Sequence, residues 1–173
     1  AYHRRQRQMC IRDRGMIAPK AGASVGNIVY FMDDGAFYRA SGNVERLPCT
    51  VLDYVFSDIN KGARFKFFAA NNVEHNEVIW FYASSSSTEI NRYVTYNYAE
   101  NVWAIGTTNN NFTRTAWDAA PSLTNPLAAG KLDNTDKNYL YNHESGNLAD
   151  GTAFPAYIES ADIDLDPAGE QFM

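Results

Sequence analysis

The feature that most constrains the fold is a series of four short, strand-like segments separated by turn-like residues. The segments are RFKFFAA (64–70), NEVIWFYA (76–83), INRYVTYN (90–97) and NVWAIG (101–106). They are rich in aromatic and β-branched residues, which favour strands, whereas the separators NNVEH, SSSSTE and YAE are typical of turns. Because the connections are short, we predict an antiparallel four-stranded meander.

A hairpin is predicted before this series. NIVYFM (27–32) and AFYRA (36–40) flank the turn DDG (33–35), in which aspartate side chains can bond to the backbone and Gly35 can supply a positive φ. A second turn, SGN (41–43), leads into VERLP.

The segment CTVLDYVFSDIN, which follows, is the best helix candidate. It has an apolar stripe at positions i, i+1, i+4 and i+5, and Thr50 is a candidate cap. The stripe consists of Val51, Leu52, Val55 and Phe56. We predict one short helix near 50–58, with a strand as the alternative because valine and tyrosine are common in this segment.

Strand-like segments continue after the central series. They are NFTRTAWD (111–118), PLAAG (126–130), NYLYNHE (138–144) and FPAYIESADIDL (154–165), joined by polar loops. Units of roughly 40–50 residues with about four strands each are typical of propeller blades. The predicted fold class is therefore all-β, with antiparallel four-stranded meanders as partial β-propeller blades and one short helix near 50–58.

The first fourteen residues differ from the rest of the chain. RRQRQMCIRDR (4–14) carries five arginines, which suits a nucleic-acid-binding arm, whereas a secretory signal would need an apolar region that is absent here. Translated back into codons, residues 4–14 resemble, without a mismatch, the transposase-linked adapter of short-read sequencing libraries, such as metagenomic ones. We interpret residues 1–14 as a disordered adapter artefact and residues 15–173 as a fragment of a β-propeller-like domain, incomplete at both ends.

Removing this leader changes the charge balance. The whole chain has 15 basic and 20 acidic residues and a formal charge of −5, whereas residues 15–173 keep 10 basic and 19 acidic residues, a charge of −9. A chain this acidic is a poor general binder of nucleic acid. Cys10 belongs to the leader, and Cys49 alone cannot form an internal disulfide, so no signature of an oxidising compartment remains. No apolar run approaches the length of a membrane span.

Two local patterns resemble elements of propeller blades. YVTYNYAENVWAIG resembles the strand, turn and tryptophan element of kelch-type blades, and VYFMDDGAFYRASG resembles a blade hairpin. The hairpin is also similar to an Asp-box turn, which it matches at Asp33, Gly35 and Tyr38 but not at Phe31, where serine or threonine is usual. That turn is structural in its families and does not indicate an enzyme.

At a larger scale, residues 27–172 resemble the tail-nozzle or packaged-DNA stabilisation proteins of short-tailed bacteriophages. The resemblance is carried by VYFMDDGAFYR, LPCTVLDYVFSDIN, NEVIWFYASSSSTEINRYVTYNYAENVWAIG, RTAW, LAAG, YLYNHESG and YIESADIDLDPAGEQF.

This resemblance implies a structural, β-propeller-like virion protein of the tail, made in the host cytoplasm, without a cofactor and without a membrane partner. It implies a homo-oligomeric ring that contacts the portal or adaptor and other tail proteins. Packaged DNA is expected to pass close to this ring without sequence-specific binding. The chain holds about three blade-sized units, whereas a closed propeller needs at least about four. This difference agrees with the interpretation of the chain as a fragment.

The histidines and the cysteine lack the signatures of catalytic or metal sites. Neither His75 (VEHNE) nor His143 (NHES) has the spacing of a zinc motif, and His3 falls in the leader, so we interpret His75 and His143 as loop histidines. Cys49 follows Pro48 without the pattern of a nucleophile, which favours a structural thiol.

Two other sets of residues have a functional and a structural interpretation. One interpretation of the acidic run is a calcium loop formed by Asp162, Asp164, Asp166 and Glu170. Pro167, however, stands where such a loop needs glycine. An amphipathic strand with an acidic face fits the pattern better. Stacking on sugars or bases is one role for Trp80, Trp103 and Trp117, and packing in the blade core is the simpler one.

Two other functions stay open: a propeller-fold glycan hydrolase or carbohydrate-binding tail protein, and a cellular propeller that binds protein partners. A glycan hydrolase needs two carboxylates across a pocket, and the sequence does not pair any two. We predict a structural protein that is not an enzyme, with no catalytic, cofactor-binding or metal-binding residues.

Overall fold

Short antiparallel strands make up most of the computed structural model, which describes residues 15–108, 114–119, 123–131, 137–146, 148–149 and 152–153. The strands are β1 (Gly22–Val25), β2 (Ile28–Met32), β3 (Phe37–Ser41), β4 (Asn43–Arg46), β5 (Phe68–Asn72), β6 (Glu77–Tyr82), β7 (Arg92–Asn97), β8 (Val102–Thr107), β9 (Ala116–Asp118), β10 (Leu127–Lys131), β11 (Asn138–Asn142), β12 (Leu148–Ala149) and β13 (Thr152–Ala153). Helix α1 (Leu52–Ser57) and a 3-10 helix (Lys61–Lys66) lie between β4 and β5.

The strands form three antiparallel meanders in chain order. The first sheet has the order β1-β2-β3-β4, the second β5-β6-β7-β8 and the third β11-β10-β9, while β12 and β13 pair with each other. The predicted fold class, all-β with antiparallel meanders as partial blades and a short helix near 50–58, is confirmed. None of the helices in the described ranges is long and apolar enough to cross a membrane.

The turn between β2 and β3 differs from the prediction. The turn after β2 is closed by the Asp33 N–H, which donates to the Ala36 carbonyl at 2.9 Å, and by the Asp33 carboxylate, which accepts from the Asp34 N–H at 2.7 Å. Gly35 is not among the residues with positive φ, whereas Gly42 in the next turn has a φ of 92°. The four-residue DDGA loop therefore closes through aspartate and backbone bonds and does not need the left-handed glycine that we expected there.

The helical region also differs from the prediction, in the residues at which its elements begin. Helix α1 begins after Val51 without a side-chain cap, so Thr50 does not have the predicted capping role. The strand predicted from residue 64 begins at Phe68, because the preceding residues form the 3-10 helix, which the Asn60 side chain caps by accepting from the Gly62 N–H at 3.0 Å. The predicted apolar stripe does face inward, and Val55 is fully buried.

One face of the second sheet packs against the first sheet and α1. Phe37, on β3, lies at the centre of this core, with its ring centroid 4.9 Å from that of Trp80, 4.8 Å from that of Trp103 and 5.4 Å from that of Phe56. Burying rings of this size removes a large apolar area from water, at roughly 25 cal/mol per Å², and is the main force that holds the two sheets together.

The opposite face of the second sheet packs against the third sheet. Phe81 stacks on Phe68 with ring centroids 4.6 Å apart, and Trp117 of β9 covers Phe81 at 5.9 Å. The second sheet is therefore covered on both faces, which explains why β6 reads as the continuous apolar run VIWFY.

The first strand of each sheet lies next to the first strand of its neighbour. Lys20, just before β1, forms a parallel bridge with Phe68, and its carbonyl accepts from the Ala69 N–H at 2.7 Å. The Asn71 side chain of β5 donates to the Ser24 carbonyl of β1 at 3.1 Å, and β9 contacts β5 on its other side. We call β1, β5 and β9 the inner strands, because consecutive propeller blades place their first strands side by side around a central channel.

Candidate functional site

The three tryptophans pack between the sheets. Trp80 and Trp103 lie in the core between the first and second sheets, and Trp117 is half-buried between the second and third. Trp80 and Trp103 are therefore not exposed to stack on a sugar or a base, and the core-packing interpretation describes them. Trp117 also borders an open cleft, described below.

Cys49 is half-buried against the core between the first and second sheets. Burial raises the pKa of its thiol, and the Val51 backbone and Arg46 counteract this only in part. A raised pKa keeps the sulfur in its less nucleophilic thiol form at neutral pH. This environment is that of a structural thiol.

The Asp-box-like turn has structural contacts. Tyr38 stacks on Phe31 with ring centroids 5.4 Å apart, so the phenylalanine that departs from the Asp-box pattern pairs with the tyrosine that matches it. Asp34 forms an ion pair with Lys61 of the 3-10 helix at 3.0 Å. The first contact stabilises the hairpin internally, and the second attaches it to the 3-10 helix.

A cluster of ligand-type side chains lies where the second sheet meets the third. His75 stands in the turn between β5 and β6, and its Nε2 lies 2.9 Å from Oε2 of Glu144, which follows β11. Glu74 completes the group, whose ligand atoms all lie within 4.8 Å of one another. We call these three residues the junction site.

The backbone of the junction site is fixed on both sides. The Asn97 side chain donates to the His75 carbonyl at 3.1 Å, and the Asn125 side chain donates to the Glu144 carbonyl at 3.1 Å. Asn76 and Glu144 both have positive φ, at 57° and 58°, an uncommon conformation for residues other than glycine. Surrounding contacts therefore define where the two chain segments meet.

Asn72 lies beneath the junction site at the end of β5. It is only 1% exposed, and its Nδ2 donates to Glu144 Oε1 at 2.6 Å. Its Oδ1 is buried and has no hydrogen-bond partner among the described residues. The half-buried Glu77 is nearby: burial raises the pKa of its carboxyl group, His75 lowers that pKa, and Glu144 raises it.

His143, next to Glu144 in sequence, has a different environment. Its Nε2 accepts a hydrogen bond from Arg114 Nε at 2.7 Å, and its ring lies 4.8 Å from that of Trp117. Burial, with a further contribution from Arg114, lowers the pKa of His143 to about 4. The imidazole is therefore neutral at pH 7 and acts as a hydrogen-bond acceptor within the third sheet.

An open cleft of about 260 Å³ runs along the inner strands. It is lined by Ala23, Ala69, Ala70, Asn71, Val73, Trp117, Asp118 and Ala119. Two buried polar atoms of these residues, Asn71 Oδ1 and Trp117 Nε1, have no partner within the described ranges. Of the residues that line the cleft, Asp118 is the one that carries a carboxylate, whereas glycoside hydrolysis uses a pair.

Some of the predicted features lie outside the described residues. These are the leader 1–14, with His3 and Cys10, the calcium candidate at Asp162, Asp164, Asp166 and Glu170, and the strand predicted over 154–165. They stay predictions.

The junction site was missed by reasoning from the sequence because its two halves are far apart along the chain. The zinc motifs that we considered place their ligands close together in sequence, whereas here one loop supplies Glu74 and His75 and another supplies Glu144. The available signal was the repeated pairing of glutamate with histidine, as Glu74–His75 and His143–Glu144, in two polar loops.

Comparison with known proteins gives no match to a family model and no match to a curated protein.

Proposed function

We propose that this chain belongs to a structural virion protein of the tail nozzle or head–tail connector of a short-tailed bacteriophage, where it helps to retain and channel packaged DNA. The observation that carries the proposal is the stacking of three antiparallel meanders in chain order with their inner strands side by side. This is the arrangement expected of the β-propeller-like blades of that class of protein.

The inner strands have a composition that suits a channel wall for DNA. β1 (GASV), β5 (FAANN) and β9 (AWD) contain no lysine or arginine, and Asp118 is their one charged residue. Non-specific DNA binding depends on basic side chains that neutralise phosphates and release counterions. A wall without them lets DNA move past without adhering to it.

The last strands of the first and second sheets, β4 and β8, supply surfaces for contacts with further copies of the protein. β4 is exposed along its whole length, and its Val44 is 42% exposed. On β8, Val102 is 54% exposed and Ile105 is 39% exposed. A sheet edge that has no paired strand among the described residues and carries exposed apolar side chains is a natural place for another chain to pack, which supports a homo-oligomeric ring.

The proposal is tested by locating the protein in phage particles. Antibodies raised against the purified chain are applied to density-purified virions that carry this gene, and electron microscopy records where they bind. We expect labelling at the portal end of short tails, together with peptides of this chain in the protein digest of the particles.

Antibodies against the major capsid protein provide the matched control, because they label the shell and show that the particles are intact. The proposal is wrong if the digest contains portal peptides but none from this chain. Labelling of tail fibres with release of sugar from host polysaccharide would instead support the glycan hydrolase.

A further inference from the structure

We propose that Glu74, His75 and Glu144 bind one divalent transition-metal ion of the zinc type, which links the turn between β5 and β6 to the segment after β11. The proposal concerns the junction between the second and third sheets and does not depend on the proposed role in the phage tail.

The donor set selects the class of metal. One imidazole nitrogen and two carboxylates suit zinc and similar transition metals, whereas calcium and magnesium prefer oxygen ligands alone. Ligand atoms around a tetrahedral zinc ion lie about 3.3–3.6 Å apart, given metal–ligand distances of about 2.0–2.2 Å. The His75–Glu144 separation of 2.9 Å and the outer limit of 4.8 Å for the group bracket that spacing. Small side-chain rotations would therefore complete the geometry.

The buried Asn72 side chain supports the metal site in addition to the donor set. Its amide is directed at the cluster, because Nδ2 donates to Glu144 Oε1 at 2.6 Å, and this leaves Oε2 on the side of His75. Metal-binding carboxylates are commonly held in this way by a hydrogen-bond donor behind them.

The other atom of the Asn72 amide strengthens the case. Oδ1 is a buried acceptor with no donor among the described residues, which is unfavourable. A water molecule bound to a cation at the junction site would be a suitable donor, since metal-bound water is a strong one. An ion pair between His75 and Glu144 alone gives no role to this oxygen.

The test measures metal binding and thermal unfolding of the full chain after treatment with a chelator, in a His3→Ala background so that the leader histidine cannot contribute. We expect Zn²⁺ to bind at one ion per chain and to raise Tm, and Co²⁺ to bind with visible absorption bands of a low-symmetry nitrogen and oxygen site. Ca²⁺ and Mg²⁺ at the same concentration are expected to leave Tm unchanged.

Glu74→Gln is the decisive variant. Glu74 is exposed, and its loss leaves the His75–Glu144 contact and the Asn72 hydrogen bond in place. A metal site predicts at least about 10-fold weaker Zn²⁺ binding in this variant, whereas a simple ion pair predicts no change. His75→Ala and Glu144→Gln should weaken binding at least as much, and Asn72→Ala by about 10–100-fold.

Glu45→Gln and Glu89→Gln are matched controls, because they remove exposed carboxylates that pair with Arg39 and Lys66 away from the junction. Both should bind Zn²⁺ as the parent does. The proposal is overturned if Zn²⁺ does not bind at one ion per chain, or if Glu74→Gln and His75→Ala bind it as tightly as the parent. Circular dichroism of each variant shows whether a loss of binding reflects unfolding. Because Glu74 is exposed, we expect Glu74→Gln to stay folded, so that this variant tests metal binding alone.

Discussion

Trp80 and Trp103 stack with their ring centroids 6.0 Å apart, and each donates its indole N–H to a backbone carbonyl outside the second sheet. Trp80 donates to Ala21 at 3.2 Å, just before β1, and Trp103 donates to Pro48 at 2.8 Å, between β4 and α1. The pair thus joins the second sheet to both ends of the first through packing and through hydrogen bonds.

Truncating Trp80 should be among the most damaging single changes in the chain. Trp80 is 1% exposed, so Trp80→Ala leaves a large cavity and is expected to lower the free energy of unfolding by about 3–5 kcal/mol. Trp103→Phe keeps a ring but leaves the Pro48 carbonyl without its donor, at a cost of about 1–3 kcal/mol. Urea denaturation measures both. Val102→Ala, at an exposed position of β8, should change the free energy of unfolding by less than about 0.5 kcal/mol. A loss as large as that of Trp80→Ala would contradict the prediction.

Gly106 is required by the tyrosine opposite it. Gly106 pairs with Tyr93 across β7 and β8, and a Cβ at residue 106 would collide with the Tyr93 ring and hydroxyl. Gly106→Ala should therefore lower the free energy of unfolding by about 1–3 kcal/mol. In a Tyr93→Ala background the same change should cost almost nothing, because the ring is gone. A double-mutant cycle measures the difference, and additive effects would show that the ring contact is not the cause.

The sequence predicts strands well where the side chains themselves favour them. β6 and β7 lie within the predicted segments 76–83 and 90–97, because aromatic and β-branched residues dominate both. It does not predict β1 (GASV), whose small residues have little intrinsic preference for a strand. β1 forms because β2 pairs with it on one side and β5 lies on the other, which is information that only the tertiary structure contains.

The candidate site was less predictable than the fold for a related reason. The loop positions of His75 and His143 followed from the polar residues around them, but their partners depend on how the sheets stack. Glu144 reaches His75 because the third sheet covers the second, and Arg114 reaches His143 across that sheet. Contacts between distant segments of this kind leave no periodic pattern in the sequence.

Asn91 should stabilise the serine loop between β6 and β7. The predicted loop tip SSSS begins with a residue that is 1% exposed, Ser84. Asn91 Oδ1 accepts from the Ser84 N–H at 2.8 Å, and Asn91 Nδ2 donates to Ser84 Oγ at 2.9 Å. Asn91→Ala leaves the Ser84 N–H without this acceptor and removes one of the two partners of Ser84 Oγ, which also bonds to Ser86 Oγ at 3.1 Å. The change should lower the free energy of unfolding by about 1–3 kcal/mol.

Two further variants define the cause. Asn91→Asp keeps the acceptor for the Ser84 N–H but loses the donor, so its effect on chemical denaturation should be smaller than that of Asn91→Ala. Thr88→Ala, at an exposed position in the same loop, should have an effect below about 0.5 kcal/mol. Equal effects of all three variants would mean that loop flexibility, and not the Asn91 bonds, determines stability.

Tyr82 should make the protein sensitive to alkali. Its side chain is fully buried, and its hydroxyl has no hydrogen-bond partner among the described residues. The pKa of Tyr82 is raised from 10.0 to about 12, chiefly by burial; Tyr54 and Asp58 also contribute to the increase, and Arg92 opposes it. The unfolded chain therefore ionises this tyrosine as the pH passes 10, whereas the folded protein keeps the proton until about pH 12. The contribution of Tyr82 to stability is complete below pH 10 and is lost as the pH rises towards 12.

Tyr82→Phe removes the buried hydroxyl, for which the described residues offer no partner, and preserves the ring that packs edge-on against Phe67 at 6.4 Å. We expect the free energy of unfolding at neutral pH to stay the same or to rise by up to about 1 kcal/mol, because a buried polar group without a partner is lost. We also expect that free energy to fall less steeply with pH in the alkaline range, measured by urea denaturation at successive pH values. Tyr139→Phe, at an exposed position of β11, is the matched control and should leave the alkaline slope unchanged. A loss of more than about 1 kcal/mol in Tyr82→Phe at neutral pH would show that the hydroxyl has a stabilising partner after all.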